Sequence, residues 1–281
     1  MTEKNYPPRK IEEIPYQSEK RYLMEISFDG SAYGGWQIQP NSICVQEIIQ
    51  KVLKRLYNNL PIELTGSSRT DAGVHAINFA AAFPVPVRPA IPPEKLKNAL
   101  NRLLPTDIRI RTITEKPLTF HARFDARGKA YVYVINIGDE TPFSNHYSLH
   151  PKYRIDMEKL KSCAEILTGT HDFSSFVCSR NDIDDAVRTI YSIKPEIFGD
   201  YLCITYLGNG FLYKMIRCLT GALLECASGK MSRDELQKLL DARDRTLGPT
   251  TASARGLFLA KVFYEEEEWR TFTLQNVPFF I

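Results

Sequence analysis

The feature that most narrows what this chain can fold into is a pattern of apolar periodicities that runs once and then starts again. Tyr22, Met24, Ile26 and Phe28 alternate with the period of a strand that buries one face, and Val45, Ile48, Ile49, Val52, Leu53 and Leu56 then recur at helical spacing. A short strand over 62–64, an apolar strand over 78–83, a helix carrying Leu96, Ala99, Leu100 and Leu103, and a strand over 108–113 complete the order βαββαβ. From Ala130 the pattern begins anew, with a strand through Ile137, a helix bearing Met157, Leu160, Ala164 and Leu167, and strands over 188–197 and 201–206. A helix with Met215, Ile216, Leu219 and Leu223 can stop at Gly229, an inserted helix opens on the capping box Ser232 to Glu235, and a strand over 257–263 closes the unit.

Two successive βαββαβ units predict an α+β protein of two ferredoxin-like (RRM-like) subdomains. Each is expected to be an antiparallel sheet with helices on one face, and the two free faces form a central cleft. Residues 1–19 combine Pro7, Pro8 and Pro15 with many charges and read as a flexible N-terminal arm. The first subdomain is then 20–117 and the second 118–281. An RRM uses this topology to stack bases, but neither half carries an RNP1-like run of alternating aromatics, so topology points to RNA only by analogy.

Composition excludes several classes. A chain of 281 residues that is 43% hydrophobic can bury a large core. No apolar run approaches the roughly 18 residues that span a bilayer, and the N-terminus lacks a signal-peptide core, so a cytoplasmic protein without a membrane partner is expected. Cys44, Cys163, Cys178, Cys203, Cys218 and Cys226 are scattered singly, which predicts buried thiols and no metal site. Asp182, Asp184 and Asp185 lie together as a metal-dependent nuclease would need, yet they are near-neighbours in one loop with no histidine among them. No phosphate-binding glycine pattern or cofactor signature occurs, and no cofactor is expected. The net charge of +3 is compatible with a nucleic-acid partner but too small to argue for one.

The chemistry concentrates in Thr65-Gly66-Ser67-Ser68-Arg69-Thr70-Asp71-Ala72-Gly73-Val74-His75-Ala76, a loop between two strands. From the residues alone this is either an active-site loop or a tight turn in which Asp71 accepts backbone N–H bonds, the glycines supply unusual dihedrals and Arg69 is a solvated charge. His75 adjoins an apolar strand and is expected to be structural.

The run G-x-x-R-T-D-A-G-V-H-A closely resembles the catalytic loop of the tRNA pseudouridine synthase A family. The resemblance extends over nearly the whole chain after residue 20. It takes in Tyr22-x-x-x-Ile26-x-Phe28-Asp29-Gly30-Ser31-x-Tyr33-x-Gly35-Trp36-Gln37, then Phe120-His121-Ala122-Arg123-Phe124 with Lys129-x-Tyr131-x-Tyr133. Gly169-x-His171-Asp172-Phe173-x-x-Phe176, Gly210-Phe211-Leu212-x-x-Met215-x-Arg217 and Gly256-Leu257 follow in the family's order. One departure is Thr251-Ala252-Ser253-Ala254-Arg255, where the family commonly has a proline and acid-containing run.

What the resemblance implies is a pseudouridine synthase fold and the isomerisation of uridine at positions 38, 39 and 40 in the anticodon arm of tRNA. Asp71 would be the nucleophile or base, Arg217 would pair with it across the cleft, and Tyr131 would stack on the base and move a proton at C5. Arg69 would hold phosphate beside an extruded nucleotide, and Leu257 would floor the uracil. Arg123 and Lys129 belong to a basic cluster with Arg102, Arg109, Arg111, His121 and Arg127 that could track RNA phosphates, while Tyr133 is assigned to packing. The family's members act as homodimers, which is carried over as an expectation. The competing reading is a non-catalytic tRNA-binding protein on the same fold.

Overall fold

The computed structural model describes residues 14–177 and 185–280. Most of the expected arm, together with Cys178, Asp182 and Asp184, lies outside the described residues. The elements run β1 (Ser18–Phe28), α1 (Val45–Leu56), β2 (Thr65–Gly66), β3 (His75–Pro86), α2 (Pro93–Leu103), β4 (Ile108–Pro117) and β5 (Gly128–Asn136). They continue with α3 (Ser144–Tyr147), α4 (Met157–Leu167), β6 (Gly169–Asp172), β7 (Val187–Phe198), β8 (Tyr201–Gly208), α5 (Met215–Ala227), α6 (Arg233–Ala242), β9 (Leu257–Phe263) and α7 (Glu266–Arg270).

Local chemistry explains the helices. Val45, Ile49 and Leu53 make the fully buried stripe of α1, and Leu96 and Leu100 that of α2, which begins on Pro93 where a missing N–H costs nothing. Asp156 caps α4 by accepting from the N–H groups of Glu158 and Lys159. Ser232 and Glu235 close the expected capping box on α6. Helix α5 is buried almost all round, and Gly221 lets the 250–252 segment lie directly on it, since a Cβ there would collide with the Thr250 carbonyl.

The nine strands of the described residues form a single sheet in the order β4-β1-β3-β9-β5-β8-β7-β6, with β2 pairing β3 off that path. Every pairing is antiparallel except β3 with β9, which is parallel and matched only at His75–Phe258 and Ala76–Leu259. The two expected sheets are therefore the two ends of one sheet, joined at that short parallel seam.

Two expectations change. The strand expected at 62–64 does not form, and its place is taken by β2. Leu64 sends its N–H to Gln50 Oε1 (3.1 Å) and receives Gln46 Nε2 on its carbonyl (2.7 Å), so glutamines of α1 satisfy backbone groups that a neighbouring strand otherwise would. The reverse face of the sheet is also not free throughout. Ala130, Val132, Val134, Cys203, Leu207, Phe258 and Ala260 make a second core there with Leu274 and Val277 of the C-terminal segment, which covers that face.

Candidate active site

The loop between β2 and β3 is held from both sides by close backbone approaches. Gly35 adopts a φ of +97°, and a Cβ on it would strike the Thr70 carbonyl. Gly30 likewise leaves room for the Val74 carbonyl. The loop's own bonds add to this: Ser67 N–H donates to Ala80 (2.8 Å), Val74 N–H to Asp71 (3.2 Å), and Trp36 N–H to Thr70 (3.4 Å). Trp36 stacks on Phe79 with ring centroids 3.9 Å apart, which seats the preceding turn on the core. The glycines of the opening motif are thus the surface against which the Asp71 loop is moulded.

Asp71 meets Arg217 from the first turn of α5. The guanidinium Nη1 donates to Asp71 Oδ2 at 2.8 Å, with only 15% of the arginine and 10% of the aspartate side chain exposed. Arg217 Nε donates to the Ala252 carbonyl (2.7 Å), and Ala252 N–H returns a bond to the Arg217 carbonyl (3.0 Å). The arginine is thereby aimed before any ligand arrives, and the carboxylate is held by a charge-assisted bond in a site where water is scarce.

Tyr131 lies on the same side, 7% exposed, with Phe211 edge-on to its ring (centroids 5.4 Å apart, 85°). Burial pushes its phenol up to about 12; the Ser68 hydroxyl opposes that and the Asp71 carboxylate adds to it. The phenol is therefore a neutral donor near pH 7. Tyr133, two residues along the strand, is fully buried and donates to the Ser253 carbonyl (2.8 Å), so it packs as expected.

Leu257 is 5% exposed at the start of β9, in register with Tyr133. Lys129 reaches the loop directly, donating from Nζ to the Ser67 carbonyl (2.7 Å). Arg69 and Arg123 are exposed, the latter with its guanidinium 5.7 Å from the Phe124 ring. Asp71, Arg217 and Tyr131 are brought together, Lys129 and Leu257 adjoin them, and Arg69 and Arg123 stand outside this buried group. Arg109, from the expected basic cluster, instead donates to the carbonyls of Pro105 and Ile108 (2.7 Å each). Ser67, Ser68 and Thr70 are buried, and sequence reasoning did not single them out.

Five cysteines among the described residues are buried free thiols. Within the described residues no group of three or more His, Cys, Asp or Glu side chains is arranged to hold a metal ion, and no helix is long and apolar enough to cross a membrane.

Residues 24–125 and 163–265 match the family described as tRNA pseudouridine synthase. The tRNA pseudouridine synthase A of Geobacillus sp. (strain WCH70) is 40% identical over 247 residues, covering 88% of this chain and 99% of the relative. That of Listeria innocua serovar 6a is 44% identical over 250 residues, covering 87% and 99%. Among solved structures, the archaeal box H/ACA sRNP Nop10-Cbf5 complex contains a chain with 14% identity and a TM-score of 0.34, over 93% of this chain and 53% of that one. At that level of superposition no geometry can be carried over.

Proposed function

This chain belongs to the tRNA pseudouridine synthase family, and on that premise we propose that it isomerises uridine to pseudouridine in tRNA with Asp71 as the reacting carboxylate. The observation that carries the assignment is the Asp71–Arg217 pair: a carboxylate nine-tenths buried, gripped at 2.8 Å by an arginine that is itself fixed to the backbone of residue 252.

The reaction breaks the bond from ribose C1′ to uracil N1, turns the base, forms a bond from C1′ to C5, and moves the C5 proton away as N1 gains one. It is redox-neutral, so protein groups suffice for it. A carboxylate beside the sugar serves either as nucleophile, giving an adduct, or as base taking the 2′ proton to give a glycal. Arg217 aims that carboxylate. Tyr131, a neutral phenol at pH 7, stacks on the base and relays the proton, releasing its own hydrogen toward N1 as it takes the one from C5. Leu257 closes the apolar floor under the uracil, and Arg69, Arg123 and Lys129 engage the RNA backbone beside the extruded nucleotide.

The target uridines are those at positions 38, 39 and 40 of the anticodon arm, and the enzyme works as a cytoplasmic homodimer without a cofactor. Each half of the molecule is a ferredoxin-like unit. The orders β4-β1-β3-β2 and β9-β5-β8-β7, each with its crossover helices, support that assignment. The subdomains run over 20–117 and 118–281, and Ser18 and Glu19 of the expected arm already belong to β1.

The test is pseudouridine formation in unmodified tRNA carrying uridine at 38 to 40, with wild type and Asp71→Ala, chelator present, and tRNA binding recorded in parallel. Conversion by wild type alone, with both proteins binding, is expected. Binding without conversion by either would replace the synthase with a non-catalytic tRNA-binding protein.

A further inference from the structure

A second side-chain cluster crosses the seam between the two halves, and it is built on residues that the chemistry above does not use. The β3–β9 ladder has only two matched pairs, so backbone bonds alone hold the halves in register weakly. His75 opens β3 at 1% exposure, its ring stacked on Phe258 (centroids 4.7 Å apart, 23°) and edge-on to Tyr147 (5.2 Å). Its Nε2 is 3.1 Å from the Arg255 carbonyl, which can only accept, so Nε2 carries the hydrogen and donates across the seam. Its Nδ1 faces Asp29 Oδ1 at 3.0 Å and the Gly30 N–H at 3.1 Å.

Asp29 is the hub of this cluster. Oδ1 accepts from the Ser31 N–H (2.9 Å) and hydroxyl (2.6 Å), while Oδ2 accepts from the Tyr147 hydroxyl (2.9 Å), with His146 Nε2 at 3.4 Å. Burial alone would raise its pKa, but the contact with the His75 ring and the bonds from Ser31 and Tyr147 outweigh that and hold the carboxyl well below the usual range.

We propose that Asp29 and His75 are positioning residues for the isomerisation, fixing the turn that carries Leu257 against the loop that carries Asp71. On one side, His75 directly follows Val74, whose N–H closes the loop on the Asp71 carbonyl and whose own carbonyl packs on Gly30 beside Asp29. On the other, the Arg255 carbonyl is two residues from Leu257, and Ala254 faces Gly73 of the catalytic loop. Any displacement of His75 moves the reacting carboxylate and the pocket floor relative to each other, and a misplacement of about 1 Å can cost on the order of 100-fold in rate. The inference rests on Asp71 acting on a bound uridine.

The experiment compares wild type with His75→Phe, which keeps the stack on Phe258 but has no ring nitrogen, and His75→Gln, whose amide N–H can reach the Arg255 carbonyl. Single-turnover conversion at saturating tRNA, the tRNA dissociation constant and the urea midpoint are measured for each. His75→Phe is expected to be about 10- to 100-fold slower at saturation with tRNA affinity within about twofold of wild type, and His75→Gln to recover most of the rate. Tyr147→Phe, which removes a single donor to Asp29, is expected to slow turnover several-fold at unchanged affinity, and it decides the matter should His75→Phe not fold.

His75→Phe turning over at the wild-type rate, His75→Gln as slow as His75→Phe, or a loss lying wholly in tRNA affinity would each overturn the assignment. Wild type converting uridine beside unaffected variants removes this inference alone; wild type converting none removes the synthase reading and this inference with it.

Discussion

Breaking the Asp71–Arg217 pair from either side should cost at least as much as removing both partners. Asp71→Ala leaves a guanidinium only 15% exposed without its anion. A fully buried pair broken this way costs about 3–5 kcal/mol, and the residual exposure here brings the expectation to about 2 kcal/mol. Arg217→Met strands the carboxylate at a similar cost, and it also removes the Nε bond to the Ala252 carbonyl, adding about 1 kcal/mol for a total of about 3. The double variant strands no charge; it loses the pair's own net contribution of about 1 kcal/mol and the Ala252 bond of about 1, and so costs about 2. The cycle then yields a coupling of about 3 kcal/mol, the upper end for directly bonded neighbours. Urea midpoints at fixed slope are the assay, with thermal midpoints as a cross-check at about 2 °C per kcal/mol for a chain of this size. If the double variant is destabilised by the sum of the singles to within about 0.5 kcal/mol, the two groups are independent and the pair does not organise the site.

Tyr131→Phe should lower single-turnover conversion by about 100-fold or more while tRNA affinity stays nearly constant, and the wild-type rate should show no step from this phenol between pH 7 and 10, because it titrates only near about 12. Gly35→Ala should destabilise by more than about 1 kcal/mol and depress activity, since it combines positive φ with a collision at Thr70; Gly199→Ala, at φ +57° with nothing within 4 Å of the added methyl, should cost about 1 kcal/mol and spare activity. Asp29, with its folded-state pKa depressed, contributes stability that is complete above the unfolded value of about 4 and is lost as pH falls toward the folded one. The urea-midpoint gap between wild type and Asp29→Asn should therefore be widest near pH 7 and close on acidification, and a gap independent of pH would contradict the hydrogen-bonded carboxylate.

What could be read from the amino acids was what periodicity and short-range chemistry encode. The alternation in β1, the stripe of α1 and the capping box of α6 are all local, and each formed where expected, while in α2 Leu96 and Leu100 are buried and Leu103 is exposed. Residues 62–64 failed for a non-local reason: glutamines a helix away took the backbone bonds of Leu64. The second core on the reverse face was equally out of reach, because Leu274 and Val277 sit in a segment with too little periodicity to announce which strands it will cover. At the site, Asp71 stood out through its motif. Asp29 did not, because an Asp-Gly-Ser turn looks the same in sequence whether its carboxylate faces solvent or a buried histidine 46 positions away.

The repeat in the chain duplicates the scaffold without duplicating the chemistry. Under the proposed assignment the reacting carboxylate, Asp71, comes from the first half, whereas Arg217, Tyr131 and Leu257 come from the second, and the two charged partners stand 146 positions apart. Four side-chain ties cross the seam: Arg217 to Asp71, Lys129 to the Ser67 carbonyl, Tyr147 to Asp29, and His75 to the Arg255 carbonyl. Only two matched backbone pairs join the halves along the sheet. If these side chains set the register of the proposed site, substitutions among them should lower turnover out of proportion to the stability they remove.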